Sequence, residues 1–429
     1  MVDNMKKLAL LLHHAGTAPD LIYPSLKSLN DVEIITFYIK SKTNFSLNKV
    51  YDETIGTIGP GFECSNEMDL LEKVKQYHDQ YHIDGVLTFA EMLVKYCNEI
   101  NHYIGNPFMS EETIIALQNK KNQRNLLKNN NIPIPKFFEI SNEDDLEKAA
   151  EYIGFPSLLK PNYGGGGYGI LLVENLDELR KAYYKEGISY QNIILEGVAT
   201  TFNLEEYMIG ENWNSIDALA DYCSVESIIQ NGEIYHIGIS DRTKLVSPFR
   251  ESGYIIPTSL EQEKVSEIES VATEALKALG VNNIVTHTEI KFTSEGPKII
   301  EINGRPGGTV PFRLKNATCG EYDLFVEMAK LSLGIPVNTK VNYKKYAASK
   351  VVHCPEGIWK IKKVDFKNLE EIKSITLLIP IRSAGDIVDS YNGIEDLICL
   401  SYLENENVIE LVNDMYKIDR EIRIQYELL

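Results

Sequence analysis

Apolar residues run almost unbroken through LALLL at residues 8–12 and through VEIITFYI at residues 32–39. Runs of that length without alternation suit strands buried on both faces. A third such run, DGVLTFA, occupies residues 84–90. Between the last two, MDLLEKVKQYHDQYH (residues 68–82) spaces its apolar positions as one face of a helix. Strand and helix in alternation predict an open parallel α/β sheet over residues 1–117. Residues 110–130, SEETIIALQNKKNQRNLLKNN, read as a helical stretch opened by Ser110, with Glu111 and Glu112 in its first turn. IPIPKF ends it, because a residue preceding proline avoids the helical region.

The pattern then shortens. Residues 135–204 read as a small α/β unit: a helix over DDLEKAAEYIG, a strand over SLLKP, a glycine loop, a strand over ILLVEN, a helix over LDELRKAYYK and a strand over NIILEG. EEYMIGENWNSIDALA, YCSVESIIQ and EIYHIGISD follow as successive antiparallel strands, and EQEKVSEIESVATEALKALG as a long helix. The chain divides on this reading into residues 1–117, residues 118–343 with a subdomain at about 135–204, and an α+β segment at 344–429.

The 429 residues, 44% of them apolar, allow full cores in about three domains. A net charge of −19 argues against a nucleic-acid surface, which needs basic patches. It does not argue against a phosphate ligand held by a few local lysines. No apolar run approaches the ~20 residues of a membrane span. LALLL is also shorter than a signal-peptide core of about 7–15 residues and lacks a small-residue cleavage site after it, so it reads as a first buried strand. The six cysteines are dispersed with no CxxC pair, which suits a reduced, cytoplasmic chain.

The chemistry gathers in HTEIKFTSEGPKIIEINGRPGG, residues 287–308. Ser294, Glu295, Gly296 and Pro297 form a turn between two strand-like runs, so the segment reads as a hairpin. Centred on Glu295, it sets Glu289 opposite Glu301, with Lys291 on the face of Glu289 and Asn303 on that of Glu301. Opposed carboxylates repel and call for a counter-charge. Two carboxylates and an amide oxygen make a hard-oxygen set suited to magnesium. Arg305 brings a cation to the end of the same row. His287, beside this set, reads as a packed strand residue, and the pair His13–His14 as a strand end. Upstream, YGGGGYG at residues 163–169 removes side chains, so that backbone N–H groups can approach an anion, and Lys160 stands at its base. No Gly-Lys-Ser/Thr follows, and the loop leads into a strand, so it is neither a P-loop nor a dinucleotide fingerprint. It reads as a flap able to close over a triphosphate.

Taken in order, these segments resemble the ATP-grasp superfamily of carboxylate–amine ligases over roughly residues 85–310. The resemblance implies an ATP-grasp fold: an N-terminal open parallel α/β (pre-ATP-grasp) domain, an ATP-grasp domain with its lid, and a C-terminal α+β extension. Lys120, in KKNQR with Arg124 four residues on, resembles the first ATP lysine, with Asn119 where an aspartate is usual. Lys160 resembles the second. The flap implies ATP contacts from Gly164, Gly165, Gly166, Gly167, Tyr168 and Gly169. EEYM, meaning Glu205, Glu206, Tyr207 and Met208, resembles the adenine hinge, with Glu205 near the exocyclic amine. Asn212 falls where an acidic ribose ligand is often found. Glu289, Glu301 and Asn303 match magnesium positions, and Arg305 the arginine near the transferred phosphate. Further segments are similar to bacterial L-amino acid ligases of the bacilysin-synthetase type: TFAE at 88–91, ISDRT with FRESGYIIP within 239–257, and HTEIK. That likeness makes Glu91, Glu251, Tyr254, Gly308 and Thr309 substrate-pocket candidates. Tyr254 stands where the best-known member of that group has a histidine, and Thr309 and Pro311 where it has a tryptophan and a methionine. A smaller residue at 309 widens the pocket.

The resemblance implies ATP and one or two Mg2+ (or Mn2+) as cofactors, a small-molecule carboxylate and an amine as substrates, and an acyl phosphate between them. Neither nucleic acid nor a membrane is an expected partner, and a homodimer is left open. An acceptor on a carrier protein, a biotin-carboxylase-like reaction and a non-catalytic nucleotide-binding module remain as alternatives.

Overall fold

The computed structural model describes residues 5–42, 45–162, 169–193 and 201–429. Four parallel strands, β1 (Lys6–His13), β2 (Val32–Ile39), β3 (Gly61–Glu63) and β4 (Gly85–Thr88), form the first sheet in the order β3-β2-β1-β4. Helices α1 (Pro19–Leu26), α2 (Phe45–Thr54), α3 (Glu67–Tyr81) and α4 (Val94–Tyr103) connect or flank them. Leu8, Leu10 and Leu12 pack into one core, Ala9 and Leu11 into another, which explains the unbroken apolar run. His13 ends β1, buried beside Glu67 at 3.5 Å, and burial lowers its pKa to about 4.

The helical stretch at 110–130 is two helices, α5 (Glu111–Gln118) and α6 (Lys120–Asn129). Asn119 leaves the helical region between them, and its side chain accepts from the backbone N–H of Asn122, capping α6. The next unit is a four-stranded antiparallel sheet of β5 (Phe137–Ile140), β6 (Ser157–Pro161), β7 (Leu171–Val173) and β8 (Phe202–Glu206), in the order β5-β8-β6-β7. Helices α7 (Asp145–Ile153) and α8 (Leu176–Ile193) cover it. The strand expected over NIILEG is not found in its described part: Asn192 and Ile193 finish α8, and residues 194–197 lie outside the described residues. No strand forms over residues 207–218 either. That polar segment, with its exposed Glu211 and Asn212, lacks the alternation a half-buried strand needs.

One eight-stranded sheet forms the centre. Its strands are β9 (Leu219–Gln230), β10 (Glu233–Thr243), β11 (Gly253–Ile256), β12 (Ile284–Thr293), β13 (Gly296–Asn303), β14 (Tyr346–His353), β16 (Ile375–Pro380) and β18 (Leu397–Asn405), in the order β13-β12-β9-β10-β11-β14-β18-β16. β15 (Ile358–Asp365), β17 (Ile387–Asp389) and β19 (Arg423–Leu428) make a small sheet of their own. The central sheet is continuous across residue 344, because β14 pairs with β11.

Side-chain alternation gives this sheet two unlike faces. Cys223, Val225, Ile229, Ile290, Phe292, Ile299 and Ile302 face α9 (Gln262–Leu279) in an apolar core. The intervening residues of β9, β12 and β13 face the other way, and most of them are polar near α10 (Val310–Ala317). α11 (Leu324–Ser332) then packs against the N-terminal sheet. No helix among the described residues is long and apolar enough to cross a membrane. All six cysteines are unbridged.

Candidate active site

The hairpin of β12 and β13 places Glu289 directly opposite Glu301, and His287 opposite Asn303. Its turn is tighter than the sequence suggests, since Thr293 already pairs with Gly296. A bulge at Ile300 then shifts the register by one and returns the two glutamates to facing positions. Lys291 leaves this row, reaching Asp221 at 2.6 Å.

The counter-charges that the opposed carboxylates need come from elsewhere in the chain. Lys120 Nζ, in the first turn of α6, lies 2.5 Å from Glu301 Oε1. Arg242 of β10 donates to Glu289 Oε1 at 3.1 Å, and His287 Nε2 lies 3.3 Å from the same oxygen. Burial alone would raise the Glu289 pKa, but His287 and Arg242 hold it below the usual carboxylate range. His287 is itself held by Glu226 of β9, with Nδ1 2.5 Å from Oε1. Burial opposes its charge, yet Glu226 raises its pKa to about 9. The other Glu226 oxygen accepts the backbone N–H of Gly307 at 3.2 Å. A Cβ on Gly307 would stand 2.9 Å from the His287 ring, so the loop after β13 can pass this close only as glycine.

Beyond Arg242 the network reaches the expected substrate pocket. Arg242 Nη1 donates to Glu251, and Tyr254 Oη donates to the other Glu251 oxygen at 2.7 Å. Burial opposes the charge of Arg242, but Glu251 and Glu289 raise its pKa above the usual range. Thr309 shares a hydroxyl contact of 2.9 Å with Ser349 of β14 and accepts from Arg313 Nε at 3.2 Å. Gly308 beside it faces open space. At the sheet's other end, Arg305 Nε lies 3.0 Å from Glu91 Oε2 in a 3-10 turn that follows β4. Apart from this ion pair, neither Glu91 oxygen has a hydrogen-bond partner among the described residues, and burial raises its pKa.

The lid meets this site through Glu205 of β8. Its carboxylate is fully buried and takes Arg124 Nε at 2.9 Å, Arg124 Nη2 at 3.2 Å and Lys160 Nζ at 2.7 Å. Burial pushes its pKa up, and the two cations overcome this and bring it down to about 2. The Glu205 side chain thus holds Arg124 and Lys160 together, at the hinge position where the resemblance expects the exocyclic amine nearby. The rest of the hinge is more open. Glu206 lies 3.7 Å from Lys298, Tyr207 is exposed and Met208 half-buried. Asn212 is exposed, and its side chain accepts from the Asn214 N–H at 2.9 Å. The flap expectation at Gly164, Gly165, Gly166, Gly167 and Tyr168 lies outside the described residues, whereas Gly169 has a φ of +69°.

Glu226, Arg242, His287 and Arg313 join the site without having been singled out as ligands, and Arg124 as the partner of Glu205. The one sequence signal of Glu226, Arg242 and His287 is polarity at positions where β9, β10 and β12 alternate, whereas Arg124 and Arg313 lie on α6 and α10. No trio of His, Cys, Asp or Glu side chains able to hold a metal occurs among the described residues. The hairpin offers instead two carboxylates and the Asn303 amide. Such a set suits magnesium, which commonly takes one or two carboxylates and completes its shell with phosphate oxygens and water.

Residues 153–311 match the model of the ATP-grasp domain. The alanine–anticapsin ligase of Bacillus subtilis (strain 168) is 25% identical over 248 residues, covering 56% of this chain and 52% of that protein. Carnosine synthase 1 of Mus musculus is 26% identical over 53% of this chain and 28% of its own length. The chain thus spans about half the length of the first relatives it matches. The crystal structure of an L-amino acid ligase from Bacillus licheniformis superposes with a TM-score of 0.80 at 20% identity, over 99% of each chain. At that identity the likeness is one of fold.

Proposed function

We propose that this chain, which carries an ATP-grasp domain in an ATP-grasp fold, is a carboxylate–amine ligase joining two amino acids at the expense of ATP. The observation that carries the proposal is the hairpin, with Glu289 opposite Glu301, Lys120 on Glu301 and Arg305 just beyond. A carboxylate is a poor electrophile. Transfer of the γ-phosphoryl group of ATP to a carboxylate oxygen breaks the β–γ bridge, releases ADP and leaves an acyl phosphate. An amine then attacks the acyl carbon, and phosphate leaves as the amide forms. The protein's part in such a sequence is positioning and charge neutralisation.

Lys120 and Lys160 supply cations for the phosphate chain. Their present anchors, Glu301 and Glu205, hold both ammonium groups close to the site. Arg305 offers a planar fork to the substrate carboxylate and to the oxyanion formed on attack. Glu91, whose carboxylate meets Arg305 and has no other hydrogen-bond partner among the described residues, offers its negative charge to an ammonium group. Glu289, Glu301 and Asn303 would hold magnesium, which neutralises phosphate charge when bound. Exclusion of water protects the acyl phosphate from hydrolysis.

The test is phosphate release from ATP and magnesium over pairs of free amino acids. Release that depends on both members of a pair supports the ligase reading, and absence of release with every pair counts against it. Glu301→Gln is expected to abolish the magnesium-dependent release. Near-normal turnover in that variant would remove the hairpin from the reaction.

A further inference from the structure

Arg313 stands apart among the buried cations of the site. Each of the others described above meets a carboxylate, whereas Arg313, 1% exposed on α10, meets none within 4 Å among the described residues. Its described partners are hydroxyls: Nη1 donates to Ser240 Oγ at 2.8 Å and Nε to Thr309 Oγ1 at 3.2 Å. Glu226 is the main negative charge that acts on it, but both Glu226 oxygens are engaged, by His287 and by the Gly307 N–H. Burial therefore dominates and lowers the Arg313 pKa to about 10, the opposite of what Arg242 experiences. A guanidinium withdrawn from water without a counter-ion is an unfavourable arrangement that an arriving anion would relieve.

The surroundings give that anion a place. Two guanidiniums approach the Tyr254 ring, Arg242 at 4.5 Å and Arg313 at 5.2 Å from its centroid. Ser240 is in register with Ser224 on β9, and the buried Ser224 hydroxyl has no hydrogen-bond partner among the described residues. Thr309, one helical turn before Arg313, is small, and Gly308 next to it opens onto free space. Arg313 thus bridges Ser240, whose strand partner Ser224 carries the unpartnered hydroxyl, and Thr309, which adjoins the open position at Gly308.

We propose that Arg313 is a specificity-determining residue that receives the second carboxylate of a dicarboxylic amino acid, as the substrate bound beside Tyr254 and Thr309. This rests on the ligase reading given above and narrows its substrate class. Arg313 would select the substrate and takes no part in phosphoryl transfer.

Glutamate against glutamine, and aspartate against asparagine, isolate the charge at nearly constant shape. The full chain with ATP and magnesium is expected to release phosphate faster with the acids than with the amides, each supplied with a panel of second amino acids. Arg313→Met is expected to lower kcat/KM for the acids roughly 30-fold or more. It should leave the amides and the KM for ATP within a factor of about two to three. Isothermal titration of glutamate and glutamine into the nucleotide-loaded protein reads the same preference without turnover. A wild-type protein that does not distinguish acid from amide overturns the assignment and requires no variant. So does an Arg313→Met protein that loses both to the same extent. Phosphate release without any acid preference would overturn the role of Arg313 and leave the ligase reading standing. Acid-selective binding without release would do the reverse.

Discussion

Glu205 shows how one buried side chain can tie a lid to its platform. Its carboxylate joins Arg124 of α6 to Lys160 of the lid sheet, and nothing exposed shares the load. Removing one partner of a buried ion pair costs about 3–5 kcal/mol, because the remaining charges stay in a medium that disfavours them. Glu205→Gln should therefore destabilise the fold by that order and loosen Lys160. The same group sets an acid limit. Its folded pKa, about 2, lies below the usual 4.5, so its contribution is complete above about pH 4.5 and is lost as pH falls through about 2. The size of the shift corresponds to about 3 kcal/mol. Chemical denaturation between pH 7 and pH 2.5 should show wild-type stability falling in that window, and a flatter profile for Glu205→Gln. Equal slopes would assign the acid sensitivity to other carboxylates. At this scale the sequence reveals acids that lie within one hairpin, although Glu289 faces Glu301 only because the bulge at Ile300 offsets a turn tighter than the one expected. It does not reveal partners such as Glu226 for His287 or Arg242 for Glu289. These are 61 and 47 residues apart and meet only because β9, β10 and β12 become neighbours in the sheet.

At the scale of elements, α6 does more than carry Lys120. β13 is an edge strand of the central sheet, and an edge leaves backbone groups unpaired. Gln123 closes that edge as a strand would. Its side-chain N–H donates to the Ile302 carbonyl at 2.8 Å, and its oxygen accepts from the Ile302 N–H at 2.8 Å. Arg124 donates to the carbonyl of Ile300, the extra residue of the bulge, at 2.6 Å. The helix that presents Lys120 is thereby fastened to the strand that presents Glu301. Gln123→Leu keeps the volume and removes both bonds to Ile302. With each unsatisfied buried group costing about 1–3 kcal/mol, a loss of about 2–4 kcal/mol is expected. A lower urea midpoint at unchanged slope would report it. An unchanged midpoint would mean that water serves the edge equally well. The start of α6 is legible only in part. A continuous helical pattern runs through residues 110–130, but the break at Asn119 depends on a capping bond that apolar periodicity does not register.

The whole molecule is divided less evenly than its sequence. A division at residue 344 cuts a sheet in which β14 pairs with β11 through Gly253–Lys350, Tyr254–Ser349, Ile255–Ala348 and Ile256–Ala347. Composition gives no sign of this, because a strand that completes a distant sheet looks like a strand of a separate domain. The lid differs: its core residues, from Ile140 to Leu204, all come from the lid itself. These two facts predict opposite outcomes for two truncations. A chain ending at residue 343 would leave β11 as an open edge and expose Ile255 and Ile256, both fully buried in the intact protein. It would also take Ser349 from Thr309 and His353 from the Glu251 carbonyl. A chain in which a short linker replaces the lid would keep the central sheet and both of its covering layers, although it would leave Arg124 without Glu205. The chain ending at residue 343 is expected to lack a cooperative thermal transition and to bind a hydrophobic dye at about 25 °C, an ordinary temperature at which an exposed core is read. The lidless chain is expected to melt cooperatively at a reduced temperature. Cooperative melting of the chain ending at residue 343 would show that β9 to β13 form a self-sufficient unit. The pocket around Tyr254 and Thr309 would then owe its shape to the hairpin and α10 alone, with β14 an addition to a finished site.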